Sequence, residues 1–439
     1  VTHLNMIKLG ELLRKKRKEL GLRMEDLADE QISPSTISNI ERGMPNVNDE
    51  KVNYFANKLG LCLEKLPELM IEEKEKEEKI KTRLIYIENI IDLMGADKGL
   101  EQLKTISIHS SHPLAAVIYF LKGKCYFQKK NWQKAQNYFF ESIRLVERTA
   151  ELKQTNIKAG SLNEIARILY FINDLDQALK YVDEGLEVFV EGGERCYYKH
   201  VLLVCKVIYL EKLNRTEEAL RWLDAMWSQI HEIENIEVIL TMYEMRAIIL
   251  QKLKLLEESV SYAQKGIELA RINKMYERSF ELWTTLGSTY IKLGDLDEAE
   301  NCFLTALNLK EKMRKEYLYI SVYTQLGLVY LEQNKWCQAQ SVLEEALQIG
   351  QRTNNALRFN EALIALGDCF LKQGLINEAL VPYSRALEQS QQHGFHNQEH
   401  EVLIKLGQCW EKKDPEQFRK CVERLYHVEV LLLKGGEQV

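Results

Sequence analysis

The chain is poor in what a β-sheet protein, a membrane protein or a disulfide scaffold needs. Only six prolines interrupt its 439 residues, and strand-forming runs bounded by turns are scarce. Charge breaks the apolar segments every three or four residues, so nothing approaches the ~20 apolar residues of a membrane span. No secretory leader is expected, because His3, Asn5 and Lys8 precede charges rather than a hydrophobic block. The nine cysteines (Cys62, Cys125, Cys196, Cys205, Cys302, Cys337, Cys369, Cys409 and Cys421) are odd in number and include no Cys-x-x-Cys pair. They are expected to be reduced packing residues of a cytoplasmic protein, with neither zinc nor disulfides. No cofactor and no enzyme chemistry is expected either, since no nucleotide loop, metal cluster or nucleophile–base pair stands in a recognisable spacing.

What remains is helix. Leu, Glu, Lys, Ala and Gln dominate and 28% of residues are charged, so the chain is predicted to be all-α. Its length exceeds what one core serves, which leaves several domains or a linear repeat array. The net charge of −6 is uneven: residues 1–24 carry Lys8, Arg14, Lys15, Lys16, Arg17, Lys18 and Arg23 against Glu11 and Glu19. A basic end on an acidic chain confines contact with a phosphate backbone to that end.

From Ile7 to Leu20, apolar Ile7, Leu9, Leu12, Leu13 and Leu20 recur at helical spacing, and Gly21 ends the helix. A short second helix turns Met24, Leu27 and Ala28 inward. The third is punctuated throughout: Ser33 as N-cap, Pro34 at the first helical position, Ile37 and Ile40 inside, and Gly43 as a left-handed C-cap. Ser35, Thr36, Asn39 and Arg42 face outward, short hydrogen-bonding side chains and one cation suited to a major groove. A fourth helix carries Val52, Tyr54, Phe55 and Leu59.

Leu9-Gly10, Leu20-Gly21-Leu22, Leu27-Ala28 and Thr36-Ile37-Ser38-Asn39-Ile40-Glu41-Arg42-Gly43 resemble the lambda-repressor-like helix-turn-helix family over residues 6 to about 66. The resemblance implies that Pro34, Ser35, Thr36 and Asn39 face bases, that Ser33, Arg42, Arg17 and Arg23 hold phosphates, and that Glu41 braces the domain. Arg23-Met24 departs from the Ser/Thr-Gln that many members have there, and the segment from Ala28 to Ile37 is one residue shorter than in phage repressors. A domain at 1–66 is followed at 67–83 by alternating Glu and Lys, a solvated linker helix held by pairs three and four apart.

From residue 84 to 439 the sequence repeats. Leu286-Gly287 with Tyr290, Leu326-Gly327 with Tyr330, Leu366-Gly367 with Phe370 and Leu406-Gly407 with Trp410 return every 40 residues. Ala299, Phe303 and Ala306 match Ala339, Leu343 and Ala346, then Ala379, Tyr383 and Ala386. Earlier copies align at 135, 178, 219 and 259. These are positions where tetratricopeptide helices need small residues for close approach, so about nine helical hairpins are predicted to stack into a right-handed superhelix. Pro382 falls within a second helix, where a kink is expected. The concave lining is the candidate ligand groove, with Lys124, Asn163, Arg167, Tyr170, Glu244, Thr284, Ser288, Gln325 and Asp368 on the inward stripe. Asn pairs with both backbone groups of an extended peptide, and Lys124 or Arg167 suits its carboxylate.

A helix-turn-helix, a charged linker and 40-residue repeats in this order resemble the peptide-sensing quorum regulators of Gram-positive bacteria, the group of Rap, NprR, PlcR and PrgX, and most of all the NprR branch. The resemblance implies a transcription regulator switched by a short signalling peptide, working as a homodimer or tetramer on double-stranded DNA with a palindromic operator. Two alternatives stay open: a protein that also binds a response regulator through residues 64–180, with Gln102, Gln128 and Gln133 as nominal phosphatase residues, and a protein-binding scaffold.

Overall fold

In the computed structural model, which describes residues 3–44, 47–62, 66–108, 112–313, 315–353 and 355–436, every regular element is a helix. The side chain of Ile7, assigned above to the inner face, and Glu64 and Lys65 at the start of the linker lie outside the described residues. Two compact units are set off, residues 1–150 and 151–439.

The first unit begins with a four-helix bundle, α1 (His3–Glu19), α2 (Met24–Leu27), α3 (Pro34–Glu41) and α4 (Asp49–Lys58). Its core is Met6, Leu9, Leu13, Leu27, Ile32, Ile37, Ile40, Val52, Phe55, Ala56 and Leu59. Leu20 does not join it and is 49% exposed: α1 stops at Glu19, so Leu20 sits in the following turn, off the helical register. The same unit holds α5 (Leu66–Met94), α6 (Ala96–Leu103), α7 (Ala115–Gln128) and α8 (Trp132–Arg148). The charged linker and the first repeat helix are thus one uninterrupted helix, as Glu and Lys at these spacings favour.

The second unit contains seven hairpins: α9 (Ile157–Phe171) with α10 (Leu175–Glu187), α11 (Tyr198–Lys212) with α12 (Thr216–Trp227), α13 (Ile236–Lys252) with α14 (Leu256–Ile272), α15 (Tyr276–Leu293) with α16 (Leu296–Leu307), α17 (Leu318–Glu332) with α18 (Trp336–Thr353), α19 (Ala356–Lys372) with α20 (Ile376–His393), and α21 (His396–Trp410) with α22 (Pro415–Gly436). With α5–α6 and α7–α8 they make nine helix pairs among the described residues. Each first helix from α9 onward contacts its own partner and the next first helix, the stacking of a tetratricopeptide superhelix.

Close packing explains the period. Ala135, Ala178, Ala219, Ser259, Ala299, Ala339 and Ala379 are all 0% exposed. In the Leu-Gly pairs, a Cβ on Gly287, Gly327 or Gly367 would lie 2.7, 2.6 or 2.3 Å from Phe303, Leu343 or Tyr383, so the large residue of each second helix fills the space the glycine leaves. Gly407 faces nothing closer than Phe418 of α22 at 3.9 Å, a looser fit than in the three preceding repeats. Pro382 does not break α20, which runs on through it. Cys125, Cys205, Cys302, Cys369 and Cys409 are buried packing residues. Burial pushes the Cys125 and Cys302 thiols up to about 12 and Cys205 to about 11, which keeps them protonated and inert.

Candidate DNA-binding surface and repeat groove

Helix α3 is built as its sequence dictates. The Ser33 hydroxyl accepts from the Thr36 amide at 3.2 Å, Pro34 occupies the first turn, and Gly43 takes φ +67°. The Met44 amide donates to the Asn39 carbonyl at 3.1 Å and the Gly43 amide to Ile40 at 2.9 Å, which closes the helix in a Schellman turn. Ile37 and Ile40 point inward. Ser33, Pro34, Ser35, Asn39 and Arg42 are exposed and Thr36 is half-buried, with the Ser33 hydroxyl 2.8 Å from Ser35 and 2.9 Å from Thr36. Arg23 is exposed at the head of α2, where its amide donates to Asp26 at 2.8 Å. Asp26 thus caps α2 from within, in place of the Ser or Thr that many family members carry.

Arg17 requires a correction. It is 7% exposed, its Nε and Nη2 donate to Glu41 at 2.5 and 2.9 Å, and its Nη1 donates to the Leu22 carbonyl at 2.8 Å. The hydrogen bonds it donates to Glu41 hold the guanidinium above its ordinary pKa despite burial. A guanidinium turned inward with its fork occupied is no phosphate clamp; it is the partner through which Glu41 braces α3 on α1. Arg14, Lys15 and Lys18 remain exposed on α1. A further brace that the sequence reading missed lies opposite: the Tyr54 hydroxyl donates to Asp29 at 2.6 Å, Lys58 pairs with the same carboxylate, and the Gln31 and Ile32 amides donate to its other oxygen. These bonds, Lys58 first, hold the Asp29 carboxyl well below the usual range and tie the turn before α3 to α4.

The stripe residues are more engaged than their polarity implies. Lys124, in the first unit, is paired with Glu88 at 3.3 Å and Asp92 at 2.8 Å. Asn163 is 0% exposed, its amide nitrogen 3.2 Å from Glu164 and its carbonyl oxygen without a partner, so it offers the groove no accessible atom. Arg167 is held by Glu164 at 2.8 Å, and Tyr170 stacks on Tyr209 with centroids 5.5 Å apart. Thr284 and Ser288 donate to carbonyls of their own helix. Asp368 accepts from Tyr383 at 2.5 Å and pairs with Lys405 at 2.8 Å, and Gln325 is half-buried. For the nominal phosphatase residues the structure gives local ties: Gln102 accepts from Arg83, Gln128 donates to the Ile91 carbonyl and Gln133 to Asn137.

Successive first helices are laced together at one recurrent offset. Arg278 donates to Thr241 at 3.1 Å and Arg358 to Ser321 at 3.0 Å, each across 37 residues. Arg278 also pairs with Glu244 at 3.1 Å and with Glu281. Glu281, Glu361 and Glu401 share one position of the 40-residue register of the Leu-Gly pairs, with Ser321 standing at that position in the repeat between the first two. Burial pushes the Glu361 carboxyl up against the opposing pull of Arg358 on its own helix and of Lys212, four hairpins earlier.

Two carboxylates, Glu244 of α13 and Glu281 of α15, share Arg278. Burial, then Glu244, push the Glu281 carboxyl from its ordinary 4.5 up to about 7, with Arg278 and Lys315 opposing and Glu277 adding to the rise. The folded state therefore holds a proton that the unfolded chain releases at lower pH, and stability falls as pH rises from about 4.5 to about 7, by roughly 3 kcal/mol at most. Glu281→Gln should flatten this slope. Urea unfolding at pH 5.5 and 8.0 tests it, and an unchanged slope in the variant would place the titration elsewhere.

The helix-turn-helix family model matches residues 13–64, and tetratricopeptide-repeat models match 278–352 and 324–393. No curated protein sequence matches the chain significantly. Among solved structures it is similar to a Rap protein complexed with competence and sporulation factor (13% identity, TM-score 0.59, 81% of this chain and 99% of that one) and to the apo quorum sensor NprR from B. thuringiensis (13%, 0.56, 85% and 99%). Apo RapI is similar over 71% of this chain and 87% of its own, at 15% identity and TM-score 0.50. Among the described residues no helix is long and apolar enough to cross a membrane, and no cluster of His, Cys, Asp and Glu is spaced to hold a metal ion. The chain joins a helix-turn-helix DNA-binding domain to a tetratricopeptide-repeat domain with the fold of the Rap and NprR quorum sensors.

Proposed function

We propose that the chain is a cytoplasmic transcription regulator that binds a palindromic operator as a homodimer and is controlled by a short signalling peptide held in the repeat groove. The observation that carries the DNA half is α3: it is capped at both ends, braced by Glu41 and Arg17, and turns Ser35, Thr36, Asn39 and Arg42 away from the core. Such a helix presents base-edge and phosphate contacts together, with Arg23 at the head of α2 as a further phosphate contact. For the peptide half, the supporting feature is a stripe of paired charges and hydroxyls along the first helices of the repeats, on the fold of proteins that include quorum sensors. Tyr170, Glu244, Gln325 and Asp368 are its proposed contacts, and Arg167 suits a carboxylate.

Asn39→Ala is expected to cost about 1–3 kcal/mol on the operator and little on random DNA, whereas Arg42→Ala should weaken both and lower the salt slope by about one. Fluorescence anisotropy across a salt series reads both effects, and equal losses for Asn39→Ala on the two DNAs would sink the recognition-helix assignment. Calorimetric titration of the full chain with short peptides encoded beside its gene tests the groove: binding accompanied by a change in oligomeric mass supports the reading, and no binding across the set removes it.

A further inference from the structure

The longest helix among the described residues, α5, buries one side of its second half. Leu84, Ile87 and Ile91 of α5 are buried on the side that meets α6 and α7. At ~100° per residue the opposite side centres on Thr82 and carries Ile71, Glu75, Glu78, Tyr86, Asn89 and Leu93. Ile71, Tyr86 and Leu93 are 60, 58 and 73% exposed, and Ile85 beside them is 56% exposed. Single exposed apolar residues need no explanation, but four along one stripe directly opposite the packed side form a patch. A shallow cleft of about 720 Å³ lies along its first half, lined by residues such as Ile71, Lys74, Glu78, Thr82 and Tyr86.

The stripe complements itself when turned end to end. Ile71 stands eleven residues before Thr82 and Leu93 eleven after it, so a two-fold axis through Thr82 sets Ile71 of one copy on Leu93 of the other. The same operation brings Lys74 beside Asp92, and Lys79 beside the ring of Tyr86, both favourable. A parallel pairing would instead set Glu75 and Glu78 against their own copies. We propose that α5 docks antiparallel on the α5 of a second copy of this chain, with the two-fold axis at Thr82.

The choice of a second copy as occupant rests in part on the regulator reading, in which two helix-turn-helix domains serve one palindrome. The antiparallel pair fits that demand. It sets the Leu66 ends of the two helices ~48 Å apart, one at each end of the pair, and each leads through a few residues to its own DNA-binding domain. Half-sites one turn apart lie ~34 Å from centre to centre, a difference that domains of this size can span. A strip one helix wide and ~33 Å long is at the small end of protein interfaces, so the free chain should associate at micromolar concentration and more tightly on DNA.

Cysteine cross-linking in the full chain tests the register. In a background with the exposed Cys62, Cys196 and Cys337 replaced by serine, Thr82→Cys should form a disulfide-linked dimer under oxidised glutathione. Ile71→Cys alone should not, but mixed with Leu93→Cys it should. Adding Tyr86→Glu to Thr82→Cys should reduce the cross-link at least tenfold while the circular dichroism stays unchanged. Absence of the Thr82→Cys dimer, or a self-cross-link through Ile71→Cys, overturns the proposal. Operator binding by the parent chain, measured alongside, keeps this outcome distinct from failure of the regulator reading.

Discussion

Replacing Arg17 by alanine is expected to unfold the helix-turn-helix domain within the intact chain. The substitution leaves Glu41, 5% exposed, as an uncompensated charge inside a bundle of about sixty residues. Breaking a buried ion pair from one side costs ~3–5 kcal/mol, because the remaining charge keeps its desolvation penalty and loses its attraction. A domain of this size has about 3–9 kcal/mol of stability in all. Hydrogen exchange of the whole protein should therefore show loss of protection over α1–α4 and normal protection in the repeats. Arg17→Met combined with Glu41→Leu should restore protection, since an apolar pair carries no stranded charge. Had Arg17 been a phosphate contact, Arg17→Ala would leave protection intact and only lower the salt slope of DNA binding; that result would reverse the assignment.

Tyr383→Ala should have an effect of similar size at the other end of the molecule. The ring is 0% exposed and fills the space above Gly367, so its removal costs ~3–5 kcal/mol, most of it as a cavity between α19 and α20. Its hydroxyl also releases Asp368, whose remaining partner is Lys405. Because each hairpin contacts only its neighbours, the loss should appear as local opening of α19–α22 rather than as global unfolding. Tyr383→Phe keeps the volume and gives up only the hydrogen bond to a carboxylate, about 1.5–3 kcal/mol. Exchange protection over α19–α22 separates the two variants. Equal effects would mean that the hydroxyl, not the packing, carries the stability.

Much of this was legible in the chain. Seven second-helix positions aligned by period alone prove to be fully buried, because a helix pair closes only where one side chain is small, whatever the surroundings. The punctuation of α3 was equally plain: Ser33, Pro34 and Gly43 act on their own backbone, and local chemistry needs no tertiary context. Leu20 was misplaced for the complementary reason, since a helical stripe extended by one residue runs past the end of the helix that defines it.

Sequence alone therefore determined the helical class, the period, the caps and the outward face of α3, all of which follow from spacing within some 40 residues. Tertiary structure decided what each charge does. Arg17 looked like one more member of a basic run and is instead the counter-ion of Glu41, 24 residues away. Asp29 gave no signal until Tyr54 and Lys58 were brought to it. The reason is the reach of the forces: capping and helical spacing act within a few turns of chain, whereas a charge responds to whatever the fold places around it, and no single sequence states that distance.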